Sequence, residues 1–470
     1  MSGLNAPGVH APGFDEEAVR ERARLGTAAA FPGRAGYGRT LFGAPAEPAR
    51  DPIDALRLVP PVFVPRRLEE LIRLGREPLY PDVDLTTDVG GLRSPLPAYL
   101  SAFGSTQVAS TDLGVAVAIA AGRAGVPMVI GENVVPMHGY GRTAGDPAAG
   151  MLLDRVRAYA AHAPGGLGGV VIQQSTEDAD AEVWNLAYSD PTATGLLDTG
   201  RLAFELKVGQ GAKPGLGGMT VVSRQAAGAV AGQYLVDDLF GPDAAHVLRS
   251  ASPGTFTDEI LRQQIRLMRN NYPRARAWVK LPPGRDVGAA AMVAWAAGAD
   301  AVTVDGAEGG TGWAPLGFLD HVGLPLAECL RRVRWSAAAG TGTAPGTGTA
   351  PGTGTAAGTP AGTAARPGGA PPRGSLLASG RMWAGPRAVK TLALGATAVG
   401  LGRAALIAAD EDPAAGVGRL LDCLALELRL LISALGKYAP AALDGDDIWS
   451  PDGPGPGAPR GEHAHEYLHH

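Results

Sequence analysis

Eight short apolar runs alternate with longer segments of helical period from Pro61 onward. Most of these runs are almost continuously apolar, and polar residues or glycines cluster where each one ends. Strands with this pattern are buried on both faces and are typical of parallel βα units. The runs are LPAYLSAFG ending at Gly104, VPMVIGE at Glu132, GGVVIQQ at Gln174, LAFELKVG at Gly209, AWVKLPP at Pro283, DAVTVDG at Gly306, SLLASG at Gly380 and TAVGLG at Gly402.

Segments with the spacing of amphipathic helices lie between the runs. One of them, Thr257–Asn270, has acidic residues early and basic residues late, which matches the helix macrodipole. Eight strand-then-helix units favour an α/β fold of the closed (β/α)₈ TIM-barrel type over an open doubly wound sheet. The other predicted helices are Thr111–Arg123, Val287–Ala297, Leu324–Val333, Pro386–Leu394 and Gly418–Leu435.

Three segments stand apart from the barrel pattern. Residues 1–60 are polar and weakly patterned, which predicts a leader that wraps the barrel of residues 61–440 or stays mobile. Residues 337–374 repeat GTGTAP and contain no apolar residue larger than Ala apart from proline, so they predict a disordered insertion between the sixth helix and the seventh strand. Residues 441–470 are expected to form a flexible tail.

Composition and charge exclude several classes of function. The chain has 41 Lys and Arg against 46 Asp and Glu, with no long basic block, so neither a nucleic acid nor a membrane surface is an expected partner. Because the N-terminus lacks a signal-like apolar segment and no run of 18 apolar residues occurs, a cytoplasmic location is expected. The two cysteines, Cys329 and Cys423, are interpreted as buried thiols.

The loops after the strands carry the candidate chemistry, as in other barrels of this type. The loop after the fourth run, ELKVGQGAKPGLGG, places Lys207, Gln210 and Lys213 among glycines, which indicates a site for an anionic substrate. The alternative interpretation is a solvated glycine loop. Glycine-rich turns follow the sixth, seventh and eighth runs, and the last two lead into helices, so they predict a phosphate cradle.

Smaller groups end the first three runs. The segment SAFGST at 101–106 has small residues, while Glu132, Gln173 and Gln174 add hydrogen-bonding groups. Each alone is ordinary loop chemistry, but all of them are predicted at the same mouth of the barrel.

At these residues the sequence resembles the FMN-binding synthase domain of glutamate synthase, over roughly Tyr80 to Gly436. The motifs that carry the resemblance, in order, are KVGQGAKPGLGG, SPGTFTDEI, WVKL, GADAVTVDGAEGGTGWAPL and HVGLP. The resemblance implies an FMN barrel. In that family 2-oxoglutarate and ammonia give 2-iminoglutarate, which reduced flavin converts to glutamate.

The residues and the resemblance together predict the site. A lysine in the middle of a buried strand needs an anionic partner, and the reduced flavin ring would give one to Lys280; the alternative is a salt bridge to an acid of a neighbouring strand. No metal ligands are predicted. The candidate catalytic residues are Lys207, Lys213, Gln210 and Glu132, and the candidate cofactor-binding residues are Ser101, Gly104, Ser105, Gln173, Lys280, Asp305, Gly309, Gly310, Thr311, Gly380, Arg381, Gly402 and Arg403.

The sequence also departs from the family. Residues 410–417, DEDPAAGV, contain no cysteine where the family has a loop that holds a 3Fe–4S cluster. Residue 2 is Ser, whereas the family's amidotransferase domain has a nucleophilic Cys after Met1, and neither that domain nor the family's C-terminal β-helix is expected. Glu308 and Trp313 replace the family's Asp and Ala, and Ser379 replaces the first of two glycines, so an altered pocket is expected.

Three functions remain open at this point. The first is a stand-alone FMN-dependent oxidoreductase that acts on an amino acid or a 2-oxo or imino acid by hydride transfer at flavin N5. The second is an amino- or hydroxy-acid oxidase that uses O₂. The third is an amine-transfer subunit that depends on a separate electron- or ammonia-donating protein. A small-molecule substrate and a homo-oligomer are expected.

Overall fold

We describe the protein from a computed structural model. The described residues are 9–11, 14–30, 51–102, 113–131, 147–175, 182–211, 214–232, 234–238, 245–309, 318, 321–340 and 374–451. The predicted insertion falls almost wholly on 341–373, which lie outside the described residues.

Eight parallel strands close into a barrel, as the apolar runs predict. The last strand pairs with the first, through Val399 and Ala98, and this pairing closes the ring. Each strand lies within, or one residue beyond, its predicted run. The barrel strands are β1 (Ala98–Leu100), β2 (Met128–Ile130), β3 (Val170–Ser175), β4 (Leu202–Lys207), β5 (Arg276–Leu281), β6 (Ala301–Asp305), β7 (Ser375–Ser379) and β8 (Ala398–Leu401).

Helices connect the strands, and each of the six predicted helices is present. The helix predicted to end at Val333 extends to Gly340. The fold of the barrel is therefore confirmed. The helices of the described residues are Glu16–Leu25, Pro52–Ala55, Pro65–Leu74, Leu113–Ala124, Pro147–Ala160, Val183–Ser189, Thr194–Asp198, Arg224–Val230, Asp258–Asn271, Val287–Ala296, Leu326–Gly340, Gly385–Ala393, Arg403–Glu411 and Gly416–Ala434.

The core has two parts, since each strand buries both faces. The larger part lies between the strands and the surrounding helices, and the smaller part fills the lower half of the barrel. The hairpin of strands Thr87–Val89 and Leu92–Ser94 closes the bottom, where Trp278 Nε1 donates a hydrogen bond of 2.9 Å to the carbonyl oxygen of Gly90. The floor of the barrel is therefore apolar and sealed, and polar groups are confined to its upper half.

An antiparallel sheet between β4 and β5 is not anticipated by the sequence analysis. Its strands are Met219–Ser223, Leu235–Asp237 and His246–Ser250, with the last in the centre. The sequence pattern does not predict these strands because each one is short and its apolar residues are interrupted by polar ones. The sheet follows the lysine-bearing loop directly along the chain.

Both ends of the described chain pack against the barrel. Ile53 is fully buried in the main core, and the strand Arg57–Leu58 pairs with Ile448–Trp449. Lys437 Nζ lies 2.6 Å from Asp447 Oδ2 in a mostly buried ion pair. The predicted tail can therefore begin only after Trp449, and residues 452–470 lie outside the described part. In the described residues, no helix combines the length and the apolar character needed to cross a membrane.

A buried tyrosine gives a test of this packing. Tyr159 is fully buried, its hydroxyl donates to Val126 O at 2.8 Å, and it accepts from Gly169 N at 2.8 Å. We expect Tyr159→Phe to lower the free energy of unfolding in urea by about 1–3 kcal/mol, because two buried backbone groups lose their partner. Tyr80→Phe, at a 43% exposed tyrosine, is the control and should cost less than about 0.5 kcal/mol. Equal losses in the two variants would contradict the assignment.

Candidate functional site

A layer of polar side chains spans the upper half of the barrel. Because side chains alternate along a strand, the inward positions nearest the carboxyl ends fall on adjacent levels of the barrel. Five consecutive strands, β3 to β7, supply this layer, and each of its members is at least 95% buried. The polar layer consists of Gln173, Glu205, Lys280, Thr303, Asp305 and Ser379.

Asp305 links the barrel interior to the lysine-bearing loop. Its Oδ2 lies 3.2 Å from Lys280 Nζ and accepts a hydrogen bond of 3.1 Å from the backbone N–H of Gly211. Its Oδ1 accepts a hydrogen bond from the hydroxyl of Ser379. Removing any of these donors would leave buried charge less well compensated. The Asp305 carboxylate thus fixes the backbone at Gly211, in the loop after β4, relative to Lys280.

Glu205 is the second buried carboxyl group of the layer. Its Oε2 accepts from Gln173 Nε2 at 2.5 Å, and its Oε1 accepts from Thr303 Oγ1 at 2.8 Å. Burial raises the pKa of Glu205, and the nearby positive charge of Lys280 opposes that rise. The layer therefore holds two carboxyl groups around one ammonium.

Tyr99 lies beneath the layer and completes its floor. Its ring meets the ring of Trp278 edge-on, and its hydroxyl lies so close to Gly400 that a Cβ there would come within 2.6 Å. Among the described residues the hydroxyl has no hydrogen-bond partner. Burial and then the negative charges of Glu205 and Asp305 raise its pKa, so Tyr99 stays a neutral phenol.

The loop after β4 lies directly on the turn after β6. A Cβ at Gly211 would come within 2.2 Å of Gly306 O and 2.9 Å of Gly309 O, so only glycine permits this approach. Lys207 ends β4 and Gln210 lies in the loop, both half-buried. Lys213, the other predicted loop lysine, lies outside the described residues. The described part of the loop is thus held between β5 and β6.

The glycine-rich turns after β6, β7 and β8 also come together. A Cβ at Gly309 would lie 3.1 Å from the Cα of Gly380, whose φ of +147° favours glycine. Arg381 follows at φ +53°, a left-handed conformation that strains a residue with a Cβ. Gly402 precedes the helix Arg403–Glu411, and no atom lies within 4 Å of a Cβ built there. Helix N-termini with open space favour an anion.

Two arginines flank this space without full compensation. Burial and the positive charge of Arg381 lower the pKa of Arg403. The Arg381 Nε is buried without a hydrogen-bond partner in the described chain, and its terminal nitrogens lie 3.6 Å from Asp15 and 3.7 Å from Asp51. A phosphate dianion would relieve both the repulsion and the unsatisfied donor. The residues present therefore fit the phosphate of FMN.

Glu308 and Arg387 attach this turn to the N-terminal segment. Arg387 Nη2 lies 3.0 Å from Glu308 Oε1, and Nη1 lies 2.5 Å from Asp51 Oδ2. Glu308 also accepts from the backbone N–H of Leu326, at the start of a helix. Burial raises the pKa of Glu308, and the charge of Arg387 opposes this. The sequence indicates only that Glu308 replaces the family's Asp, and Arg387 is not predicted to belong to the site.

Most predicted site residues that are described lie at this end of the barrel. Ser101 directly follows β1, and its N–H donates to Leu401 O at 3.0 Å. Gln173 is not at the mouth as predicted, because the register turns its side chain inward to Glu205. Lys280 forms the salt bridge to a neighbouring strand that the alternative interpretation describes. The other predicted residues outside the described chain are Glu132, Gly104, Ser105, Gly310 and Thr311.

Three residues of the polar layer and its floor are not predicted from the sequence. Glu205 left a signal, since it is a charge inside the apolar run LAFELK. Thr303 and Tyr99 left none, because each is a common strand residue whose partners lie on distant strands.

Comparison with known proteins agrees with this architecture. Residues 194–339 match the family model for the conserved region in glutamate synthase, and residues 368–450 match that for FMN-dependent dehydrogenase. The archaeal glutamate synthase [NADPH] of Methanocaldococcus jannaschii is 30% identical over 209 residues, covering 44% of this chain and 34% of the relative. A glutamate synthase large subunit-like protein of Rhizobium meliloti is 31% identical over 212 residues, covering 45% and 40%.

Solved structures share the fold. A soluble mutant of the membrane-associated (S)-mandelate dehydrogenase from Pseudomonas putida superposes with a TM-score of 0.50 at 18% identity, covering 93% of this chain and 99% of that one. A flavocytochrome b2 mutant with sulfite bound gives a TM-score of 0.50 at 16% identity, covering 84% and 76%. At this identity the likeness shows the barrel fold alone.

The resemblance to the FMN-binding synthase domain of the glutamate synthase family is confirmed by these matches. They also confirm FMN as the cofactor and an FMN-dependent oxidoreductase as the class of enzyme. The chain spans about a third of the length of the first curated relatives it matches. The activities of those larger proteins are therefore not transferred as a whole.

The Asp305 carboxylate provides a test of the site. We expect Asp305→Asn to lower the free energy of unfolding by about 3–5 kcal/mol, because Lys280 loses its ion-pair partner inside the barrel. Urea denaturation measures the loss. Asp258→Asn, which removes an exposed pair with Arg262, is the matched control and should cost less than about 1 kcal/mol. A cost for Asp305→Asn as small as that of the control would show that the buried pair is not needed.

Proposed function

We propose that this chain acts on an amino acid or a 2-oxo or imino acid, as an FMN-dependent oxidoreductase of the glutamate synthase type. The observation that carries the proposal is the Asp305 carboxylate, which joins the loop of Lys207 and Gln210 to Lys280. Cations for a carboxylate substrate and a lysine for the flavin are thereby held at one end of one barrel. When bound, FMN supplies a ring that accepts or donates a hydride at N5.

The cofactor would be held at both of its ends by residues of this chain. Arg381 and Arg403, with the open helix N-terminus after Gly402, fit the phosphate. Lys280 is the candidate for contact with the ring, and the carboxylate of Asp305 holds its ammonium in place from 3.2 Å away. Ser101, Gly309 and Gly380 remain candidates for lining the cofactor.

The substrate would lie beside the loop after β4. Lys207 and Gln210 can hold a carboxylate by charge and by hydrogen bonding, and the clamp at Gly211 limits movement of the loop. Lys213 and Glu132 stay candidates for the same role. The sealed apolar floor excludes water from below, which strengthens electrostatic contacts at the mouth.

An oxidase that uses O₂ is the second candidate. Residues 412–415 join the helices Arg403–Glu411 and Gly416–Ala434 in a short turn, capped by Asp412 Oδ1 accepting from the N–H groups of Ala414 and Ala415. This turn lies where the family's cluster loop would be, and it has no cysteine. Electrons must then leave or enter by another acceptor or donor. The match of residues 368–450 to FMN-dependent dehydrogenase is compatible with this reading.

The proposal includes organisation and partners. A separate electron- or ammonia-donating protein, as in the amine-transfer alternative, would complete the reaction if the isolated chain cannot. The domain scheme of leader, barrel, insertion and tail remains our proposal, and so does assembly into a homo-oligomer. A cytoplasmic location is supported by two cysteines that are both buried and free.

Selectivity for the flavin phosphate tests the cofactor site. Arg403→Met should weaken binding of FMN by about 10- to 100-fold, because a charge-assisted contact is lost, while binding of riboflavin changes little. Fluorescence quenching of each flavin during titration measures both affinities. Arg262→Met, at an arginine on the outer face of a helix, is the control and should bind FMN like the unaltered chain. Equal losses for FMN and riboflavin would count against the phosphate assignment.

Anaerobic spectroscopy tests the reaction itself. The FMN-loaded chain should lose its flavin absorbance at about 450 nm on titration with a donor amino acid such as glutamate. Lys207→Met should raise the concentration needed for half-bleaching by about 10-fold or more. Admission of air with rapid recovery and formation of hydrogen peroxide would favour the oxidase. A colourless chain that takes up no FMN would overturn the proposal.

A further inference from the structure

The polar layer contains one more acid than it has described cations to balance. Glu205 and Asp305 are 1% and 2% exposed, and Lys280, 5% exposed, lies between them in the layer. Lys280 Nζ lies 3.2 Å from Asp305 Oδ2, and the ion pairs of the described residues include none between Lys280 and Glu205. An uncompensated carboxylate is costly at this depth, so the second acid is under pressure to bind a proton.

The hydrogen bonds identify which acid can bind it. Asp305 accepts from an ammonium and a backbone N–H as well as from a hydroxyl, so its charge is compensated directly. Glu205 accepts only from the amide of Gln173 and the hydroxyl of Thr303, which are neutral. A hydroxyl can rotate to accept instead of donate, so protonated Glu205 Oε1 would keep its bond to Thr303. Glu205 can therefore gain a proton without losing a partner.

We propose that Glu205 is a positioning residue that takes up a proton when negative charge is placed above Lys280. It would act through Lys280, by releasing the positive charge of that ammonium for an anion at the mouth. The groups facing Glu205 from the packed strands are Tyr99 on β1, Gln173 on β3, Lys280 on β5, and Thr303 and Asp305 on β6. Of these, Lys280 is the cation, Asp305 is the second acid, and Tyr99 stays neutral.

This inference rests on the proposed FMN site and adds a proton count to it. FMN, when bound, would supply a ring that accepts two electrons from an added reductant and one proton at N5, while Glu205 would take a second proton from solvent. Lys280 would then face the negative charge of the ring with a neutral Glu205 beside it. The charge of the layer and ring together changes by one unit less than it would without Glu205.

The test counts protons on the FMN-loaded chain. The slope of the flavin midpoint potential against pH, between about pH 6 and 8, should give about two protons per two electrons in the unaltered chain. Glu205→Gln should give about one, because an amide cannot bind the second proton. Thr303→Ser keeps both the hydroxyl and the carboxyl group, so it should retain about two. An unchanged slope in Glu205→Gln would overturn the inference.

A second measurement needs no flavin. Folding raises the pKa of the Glu205 carboxyl group above its ordinary value of 4.5. Such a group stabilises the folded protein at pH values below 4.5, and this stabilisation is lost as the pH rises through the folded pKa. Unfolding of the flavin-free chain should therefore show Glu205→Gln gaining stability relative to the unaltered chain as pH rises above about 4.5. A constant difference across this range would also overturn the inference. Failure of all variants to take up FMN would instead defeat the proposed function, and leave this second test in force.

Discussion

The site depends on one buried carboxylate, that of Asp305. Burying a charge in a barrel is unfavourable unless several partners compensate it, and here an ammonium, a hydroxyl and a backbone N–H do so. Because these donors come from β5, β7 and the loop after β4, they cannot shift independently. Because Asp305 needs all of these donors, it holds Lys280 and the backbone at Gly211 at fixed positions relative to each other.

The sequence was sufficient for the barrel strands and for the glycine-rich turns that follow them, but not for the contacts inside the barrel. Apolar runs with polar ends predict β1 to β8 because burial on both faces leaves little choice of residue. The hydrogen bond between Gln173 and Glu205 joins residues 32 apart, and the one between Thr303 and Glu205 joins residues 98 apart. Such pairs depend on strand register, which no local pattern encodes. For the same reason Gln173 was expected at the mouth and lies inside.

Lys280 illustrates how two interpretations of a buried lysine can describe one arrangement. The salt bridge to Asp305 compensates its charge, and its position on β5 places it beside Thr303 in the polar layer. A lysine without an acid nearby would lose its proton on burial and could not meet an anion. The acid beside it therefore supports a role toward the flavin. The polar layer still has one more carboxyl group than ammonium groups. Glu205 is the carboxyl group of the layer whose hydrogen-bond donors are neutral.

The turn after β6 connects the two ends of the site. At its start, Asp305 holds the substrate loop, and at its other end Glu308 binds Arg387 and the N–H of Leu326. Arg387 in turn binds Asp51, so the segment before the barrel stabilises the turn that borders the phosphate region. The family's Asp at 308 would be one methylene shorter and would reach these donors less readily. The substitution that first suggested an altered pocket thus has a structural role: Glu308 ties the N-terminal segment to the glycine-rich turn after β6, while Asp305, three residues earlier, holds the loop after β4.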